Sequence, residues 1–151
     1  IKFDLSYLAT ASSLLGFLIL NWNPAKIFMG DVGSTFIGSL YVLKILESNS
    51  IEDAFGLILI CSPIYYDAIS CLFLRMIRKE NIFSAHKCHL YQKLYQNGWR
   101  HSEVSLLFIS VSIFLSIIYL NFNIIVLAVS SFMVFILGVY LNNKINKNLI
   151  Y

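Results

Sequence analysis

"FNIIVLAVSSFMVFILGVYL", residues 122–141, runs for its whole length without a charged side chain. As a helix it rises about 30 Å at 1.5 Å per residue, which matches the hydrocarbon core of a bilayer. A membrane-spanning strand would alternate polar and apolar residues between its lumen and lipid faces, and this run does not. Backbone groups in lipid must be hydrogen-bonded within the segment, so the stretch reads as a transmembrane helix.

Working outward, four more stretches have similar character: residues 3–20, 27–46, 54–74 and 104–120. The first and fourth are short and would need interfacial residues or local bilayer thinning to complete a crossing. The composition agrees, with 58% hydrophobic and 13% charged residues and a mean hydropathy of +0.75, well away from the roughly 25% charged residues of a soluble domain. The fold class expected is all-α, a polytopic integral membrane protein of about five transmembrane helices. Residues 1–151 would form part of a single membrane-embedded domain with one long loop, 75–103.

Positive residues mark the cytoplasmic side of such a protein. If the five helices alternate, Lys26, Arg75, Arg78, Lys79, Lys87, Lys93, Arg100, Lys144 and Lys147 share one side, whereas only Lys2 and Lys44 lie near the other. Glu47, Glu52 and Asp53 fall on that other side. The loop 75–103 and the carboxyl tail are therefore expected to be cytoplasmic. The net charge of +3 is mainly this topology signal, although the basic loop could also attract anionic lipid or a phosphorylated substrate. No nucleic-acid partner is expected.

Cys61, Cys71 and Cys88 have no framework spacing, so no disulfide is implied. His86, Cys88 and His89 are crowded into four residues with no second cluster, which argues against a tetrahedral zinc site. Pro24 marks a helix start and Pro63 a kink. The long loop is rich in His, Lys, Tyr, Gln and Arg, residue types that bind phosphate and sugar groups, and its span 88–95 suits a short interfacial helix.

Two carboxylates within the apolar stretches carry the most information, because charge at membrane depth faces a partner or a wet cavity. Asp31 sits in "NPAKIFMGDVGS", residues 23–34, between Gly30 and Gly33, which allow a ligand close to the backbone. The same pattern also fits an ordinary helix start. Asp67 lies about 12 Å along the helix from Arg75, too deep to reach the interface by itself. It needs a partner, either at a substrate site or in a structural ion pair with a Lys or Arg outside these residues.

The stretch "NWNPAKIFMGDVGSTFIGS", with Asn21, Pro24, Ala25, Phe28, Met29, Gly30, Asp31, Gly33 and Ser34 in order, resembles the signature of the polyprenyl-phosphate N-acetylhexosamine-1-phosphate transferases. Pro63 and Asp67 followed by Arg75 and Arg78 resemble that family's next helix, and "AHKCHLYQKLYQNGWRHSEV" its histidine-containing loop. The resemblance runs from about Leu5 to the carboxyl end.

It implies transfer of a sugar-1-phosphate from a UDP-N-acetyl sugar to a polyprenyl phosphate at the cytoplasmic face of the bacterial inner membrane, with release of UMP. Two anions must meet in such a reaction, so a divalent cation and fixed positive groups are needed. By resemblance Asp31 is the metal ligand, for Mg²⁺ with Mn²⁺ as a substitute. Phe28, one helical turn earlier, would stack on uracil, and Asn21 and Gly30 would border the nucleotide. His89 and His86 are the candidate catalytic histidines, with Lys87, Tyr91, Gln92 and Arg100 as substrate contacts and Asp67 as a site or structural carboxylate.

The family often carries His-x-His-His or three consecutive histidines where this chain has His89-Leu90-Tyr91-Gln92. That form resembles a branch that initiates O-antigen or related surface polysaccharides. The family's paired aspartates are absent, since no adjacent Asp-Asp pair occurs here. The chain is thus expected to be a carboxyl-terminal half, inactive alone, partnered by the missing amino-terminal half; a second copy is a further candidate partner. Half of a membrane transporter and a non-catalytic polyprenyl-lipid-binding subunit remain the alternatives.

Overall fold

A computed structural model describes residues 5–84 and 87–148, with side chains as far as 145. Every regular element among them is helical: α1 (Leu5–Asn21), α2 (Gly30–Leu46), α3 (Ile51–Ile60), α4 (Ser62–Ile77), α5 (Leu90–Gln96), α6 (His101–Asn121) and α7 (Ile124–Asn148). The chain divides into two compact units, Ile1–Lys44 and Ile45–Tyr151, which are described in turn.

In the first unit α1 satisfies its polar side chains internally. The hydroxyls of Thr10, Ser12 and Ser13 donate to the carbonyls of Ser6, Leu8 and Ala9, one turn back. Such back-bonding lets hydroxyl residues sit in an apolar helix without stranded donors. At the other end of the unit the Lys44 ammonium lies 4.4 Å from the centroid of the Tyr7 ring, a cation–π contact. The second helix starts later than its hydropathy suggests. Residues 22–29 are irregular and α2 begins at Gly30, whose φ of +65° is a left-handed conformation that favours glycine.

In the second unit Ser50 caps α3, its hydroxyl accepting from the Asp53 N–H at 3.0 Å. The stretch expected to be one helix over 54–74 is a pair, α3 and α4, bent by 70° at the break. Pro63 supplies the reason: it has no N–H to continue the ladder, and the Ile64 N–H instead starts a new turn on the Cys61 carbonyl at 3.1 Å. Gly56 in α3 allows the Tyr119 ring of α6 to lie against the backbone, where a Cβ would collide with it. The Tyr119 hydroxyl then donates to Asp53 Oδ1 at 3.2 Å.

Two small apolar clusters hold this unit. Leu115, Ile118 and Leu127 join α6 to α7, with Leu59 of α3 against them. Leu94, Val104 and Ile145 dock the short α5 onto α6 and α7. Between α4 and α7, Ser131 is a buried polar hub, donating to Ser62 Oγ at 2.8 Å and lying 3.0 Å from the Tyr66 hydroxyl. Most other large apolar side chains face outward, including Phe114, Ile117, Phe132 and Leu137. That outward apolar surface suits a lipid solvent.

Among the described residues, α6 and the Ile124–Ile145 part of α7 are long and apolar enough to cross a bilayer, and the bent α3–α4 pair brings the count to three. The expected count of about five is therefore too high by length and composition. Helices α1 and α2 have 17 residues each, roughly 26 Å of rise. The late start at Gly30 is what shortens α2.

Candidate functional site

In the first unit the candidate residues lie on the segment leading into α2. The Asn21 amide donates to the Ile27 carbonyl at 2.8 Å, and the Lys26 N–H to the Leu20 carbonyl at 2.8 Å. These two bonds fold residues 22–29 back over the end of α1, so Asn21 has a structural task there. Phe28 is not one helical turn before Asp31, where the sequence reading placed it. It lies in the irregular segment and is 82% exposed. Asp31 is the second residue of α2 and exposed. A carboxylate there meets the positive end of the helix dipole, and the Ser34 hydroxyl donates to the Asp31 carbonyl at 3.1 Å. Met29 packs over Gly33, filling the space a larger side chain would need.

The second unit brings several loop candidates together. Asp67, on α4, accepts the Leu90 N–H on Oδ1 at 2.7 Å, and its Oδ2 lies 3.5 Å from His89 Nδ1. Its side chain is 10% exposed and that of His89 24%. Asp67 thus has a backbone N–H and an imidazole as partners within this chain. Leu90 opens α5, so the carboxylate also satisfies one of the orphan N–H groups at that helix's start. The short helix expected over 88–95 is α5, shifted by a residue or two.

Around this anchor lies a cleft of about 600 Å³ lined by Asp67, Lys87, His89, Tyr91, Gln92 and His101, among others. The His89 and Tyr91 rings stack with centroids 5.3 Å apart, and Tyr95 and His101 stack at 4.0 Å. Gln92 has a structural duty, its Oε1 accepting the His89 N–H at 3.3 Å. Arg100 does not line the cleft; its N–H donates to Glu103 Oε2 at 2.7 Å where α6 starts. His86 lies outside the described residues.

Tyr95 and His101, which line the cleft, escaped the sequence reading, and Lys93, outside its lining, was read there only as positive charge on the loop. Lys93 is only 9% exposed, and its ammonium donates to Asn142 Oδ1 of α7 at 2.7 Å. Burial pushes its pKa below the ordinary lysine value, and the positive charge of Arg78 adds to the effect. The available signal was Asn142 itself, a polar residue closing the apolar run of α7. A cleft that holds Lys87, stacked rings and side-chain amides can receive an anionic, hydroxyl-rich group. No group of three or more His, Cys, Asp or Glu side chains that could hold a metal occurs among the described residues.

Comparison with known proteins follows the same residues. The glycosyl transferase family 4 model matches residues 2–49, which hold α1, the irregular segment and α2. The chain is 31% identical over 140 residues to a probable undecaprenyl-phosphate N-acetylglucosaminyl 1-phosphate transferase of Bacillus subtilis (strain 168), covering 89% of this chain and 38% of the relative. It is 33% identical to the decaprenyl-phosphate N-acetylglucosaminephosphotransferase of Mycobacterium leprae (strain TN), over 64% of this chain and 28% of the relative. With the phospho-N-acetylmuramoyl-pentapeptide-transferase of Kosmotoga olearia it shares 29% identity, over 74% and 35%. The chain thus spans well under half the length of these curated relatives. No solved structure matches it. The signature around Asp31, the helical membrane architecture and these relatives agree: the chain belongs to glycosyl transferase family 4, whose matching members are polyprenyl-phosphate sugar-1-phosphate transferases.

Proposed function

We propose that the protein containing this chain transfers a sugar-1-phosphate from a UDP-N-acetylhexosamine to polyprenyl phosphate on the cytoplasmic face of the membrane, initiating a surface polysaccharide. A lipid phosphate oxygen attacks the sugar-side phosphorus of the diphosphate. The bond from that phosphorus to the bridging oxygen breaks, and UMP leaves with the oxygen. The observation that carries the reading is the anchored His89, held at the cleft by the Asp67 carboxylate and stacked on Tyr91. Such a fixed ring can orient and stabilise phosphate oxygens without reorganising during the reaction. Lys87 adds positive charge at the same cleft.

A magnesium ion would neutralise charge on the diphosphate and polarise it for attack. Asp31 fits the role of a protein ligand, being an exposed carboxylate beside a glycine in the left-handed conformation. Magnesium is commonly held by only one or two carboxylates with phosphate and water completing its shell. The 151 residues alone are expected to be inactive, because the paired aspartates that the resemblance associates with the reaction are not among them.

The test is UMP release by the whole protein with Asp31→Asn and His89→Ala. Both substitutions should abolish or strongly reduce turnover. Unchanged turnover in both would exclude these residues from the site.

A further inference from the structure

The turn that follows α4 is built around a buried cation and displays a large aromatic ring. Arg75 is 3% exposed. Its guanidinium donates to the carbonyls of Asn81 and Ser84 and to the Ser84 hydroxyl, and its Nε lies 3.4 Å from Glu80 Oε2. The backbone closes at the same place, the Glu80 N–H bonding the Arg75 carbonyl at 3.0 Å, with Lys79 in the left-handed region at φ 55°. Asn81 Oδ1 then accepts the Phe83 N–H at 3.0 Å, an Asx turn that ties the backbone at Phe83.

The product of this bonding is Phe83 at 93% exposure, with Ile82 at 38% beside it. A single exposed apolar residue is ordinary. Here, however, the turn is tied down by the Arg75 guanidinium and its own backbone, and it lies directly after the outward apolar residues Phe73, Met76 and Ile77 that end a candidate membrane span. Arg78 and Lys79 flank it, and Glu80, the one acidic residue of the turn, is paired to Arg75 and approached by Arg78 at 3.9 Å. An aromatic ring with neighbouring cations at the end of a span matches the chemistry of the bilayer interface, where rings insert at headgroup level and basic residues meet anionic lipid.

We propose that the 78–84 turn is a membrane-interface anchor: Phe83 inserts among the headgroups of an anionic leaflet while Arg78 and Lys79 contact lipid phosphate. The anchor would hold the end of α4 at a fixed depth, and with it Asp67 two to three turns away on the same helix. The inference stands apart from the transferase reading, since it concerns no substrate and is read without turnover.

The experiment places a reporter at the ring. In the whole protein, with Trp22 and Trp99 changed to Phe, Phe83→Trp is a conservative change at an exposed position and leaves folding undisturbed. The protein is reconstituted in phosphatidylcholine vesicles with and without phosphatidylglycerol. The anchor predicts blue-shifted emission, quenching by lipids brominated near the headgroup, protection from aqueous iodide, and stronger lipid quenching with phosphatidylglycerol. Adding Arg78→Gln and Lys79→Gln should remove the phosphatidylglycerol dependence. Ready quenching by iodide would overturn the proposal by placing the ring in water. Resistance to both quenchers would overturn it by placing the ring against protein, and equal quenching in both lipids would overturn the anionic contact.

Discussion

Replacing Asp67 separates the two jobs of its carboxylate. Oδ1 accepts the Leu90 N–H at 2.7 Å and Oδ2 approaches His89 Nδ1 at 3.5 Å, in surroundings that leave the side chain 10% exposed. A hydrogen bond to a charged acceptor contributes about 1.5–3 kcal/mol. Asp67→Asn keeps an acceptor for Leu90 but loses the charge, a loss of roughly 1 kcal/mol. Asp67→Ala also strands the N–H, for about 2–3 kcal/mol. If this energy is expressed as displacement of His89 from its working position, at tenfold per 1.4 kcal/mol, turnover falls roughly fivefold for Asn and about 30- to 150-fold for Ala. The assay is UMP release by the purified whole protein, with helix content checked by circular dichroism. In a His89→Ala background, Asp67→Asn should change turnover little, because residues acting through one another are not additive. Full additivity, or normal turnover in a folded Asp67→Ala protein, would refute the reasoning.

Gly56→Ala puts a Cβ into the Tyr119 ring. Overpacking of this kind costs about 1–3 kcal/mol, so thermal unfolding in detergent should occur at lower temperature, with part of the loss recovered in Gly56→Ala/Tyr119→Leu. Lys93 predicts a pH dependence of stability. Its pKa in the folded protein is lowered by burial, so between that value and the ordinary lysine pKa of about 10.4 the unfolded chain binds more protons than the folded one. Stability contributed by this residue therefore rises with pH across that window. Lys93→Met should flatten the rise, and an unchanged slope in unfolding temperature against pH would argue that the residue is not buried as described.

Class and broad layout were legible in the sequence because they depend on hydropathy and length. The uncharged run at 122–141 marks the helical core of α7, Pro63 marks the break between α3 and α4, and the 88–95 segment is the short helix α5. Asp67 was recognised as needing a partner, since burial of a carboxylate is costly wherever the partner lies. Its identity was not legible: His89 is distant in sequence, and the pairing depends on the docking of α5 onto α6 and α7, which brings its first residue to Asp67. The start of α2 was misplaced for a similar reason. Ile27, Phe28 and Met29 look helical by hydropathy, but the Asn21–Ile27 bond and the left-handed Gly30 hold them outside the helix. Phe28 therefore does not share a helix with Asp31. Lys93 was read only as positive-inside charge, because its burial against α7 is a tertiary event.

The central claim is that the sugar travels with its phosphate. The most direct measurement gives the whole protein a UDP-N-acetylhexosamine labelled at the phosphorus next to the sugar, with polyprenyl phosphate and Mg²⁺, and follows the label between organic and aqueous phases. The account predicts that the label moves into the lipid fraction while the released UMP is unlabelled, and that Asp31→Asn prevents the transfer. Label remaining with the released nucleotide, or lipid labelling that is independent of both Mg²⁺ and Asp31, would contradict it.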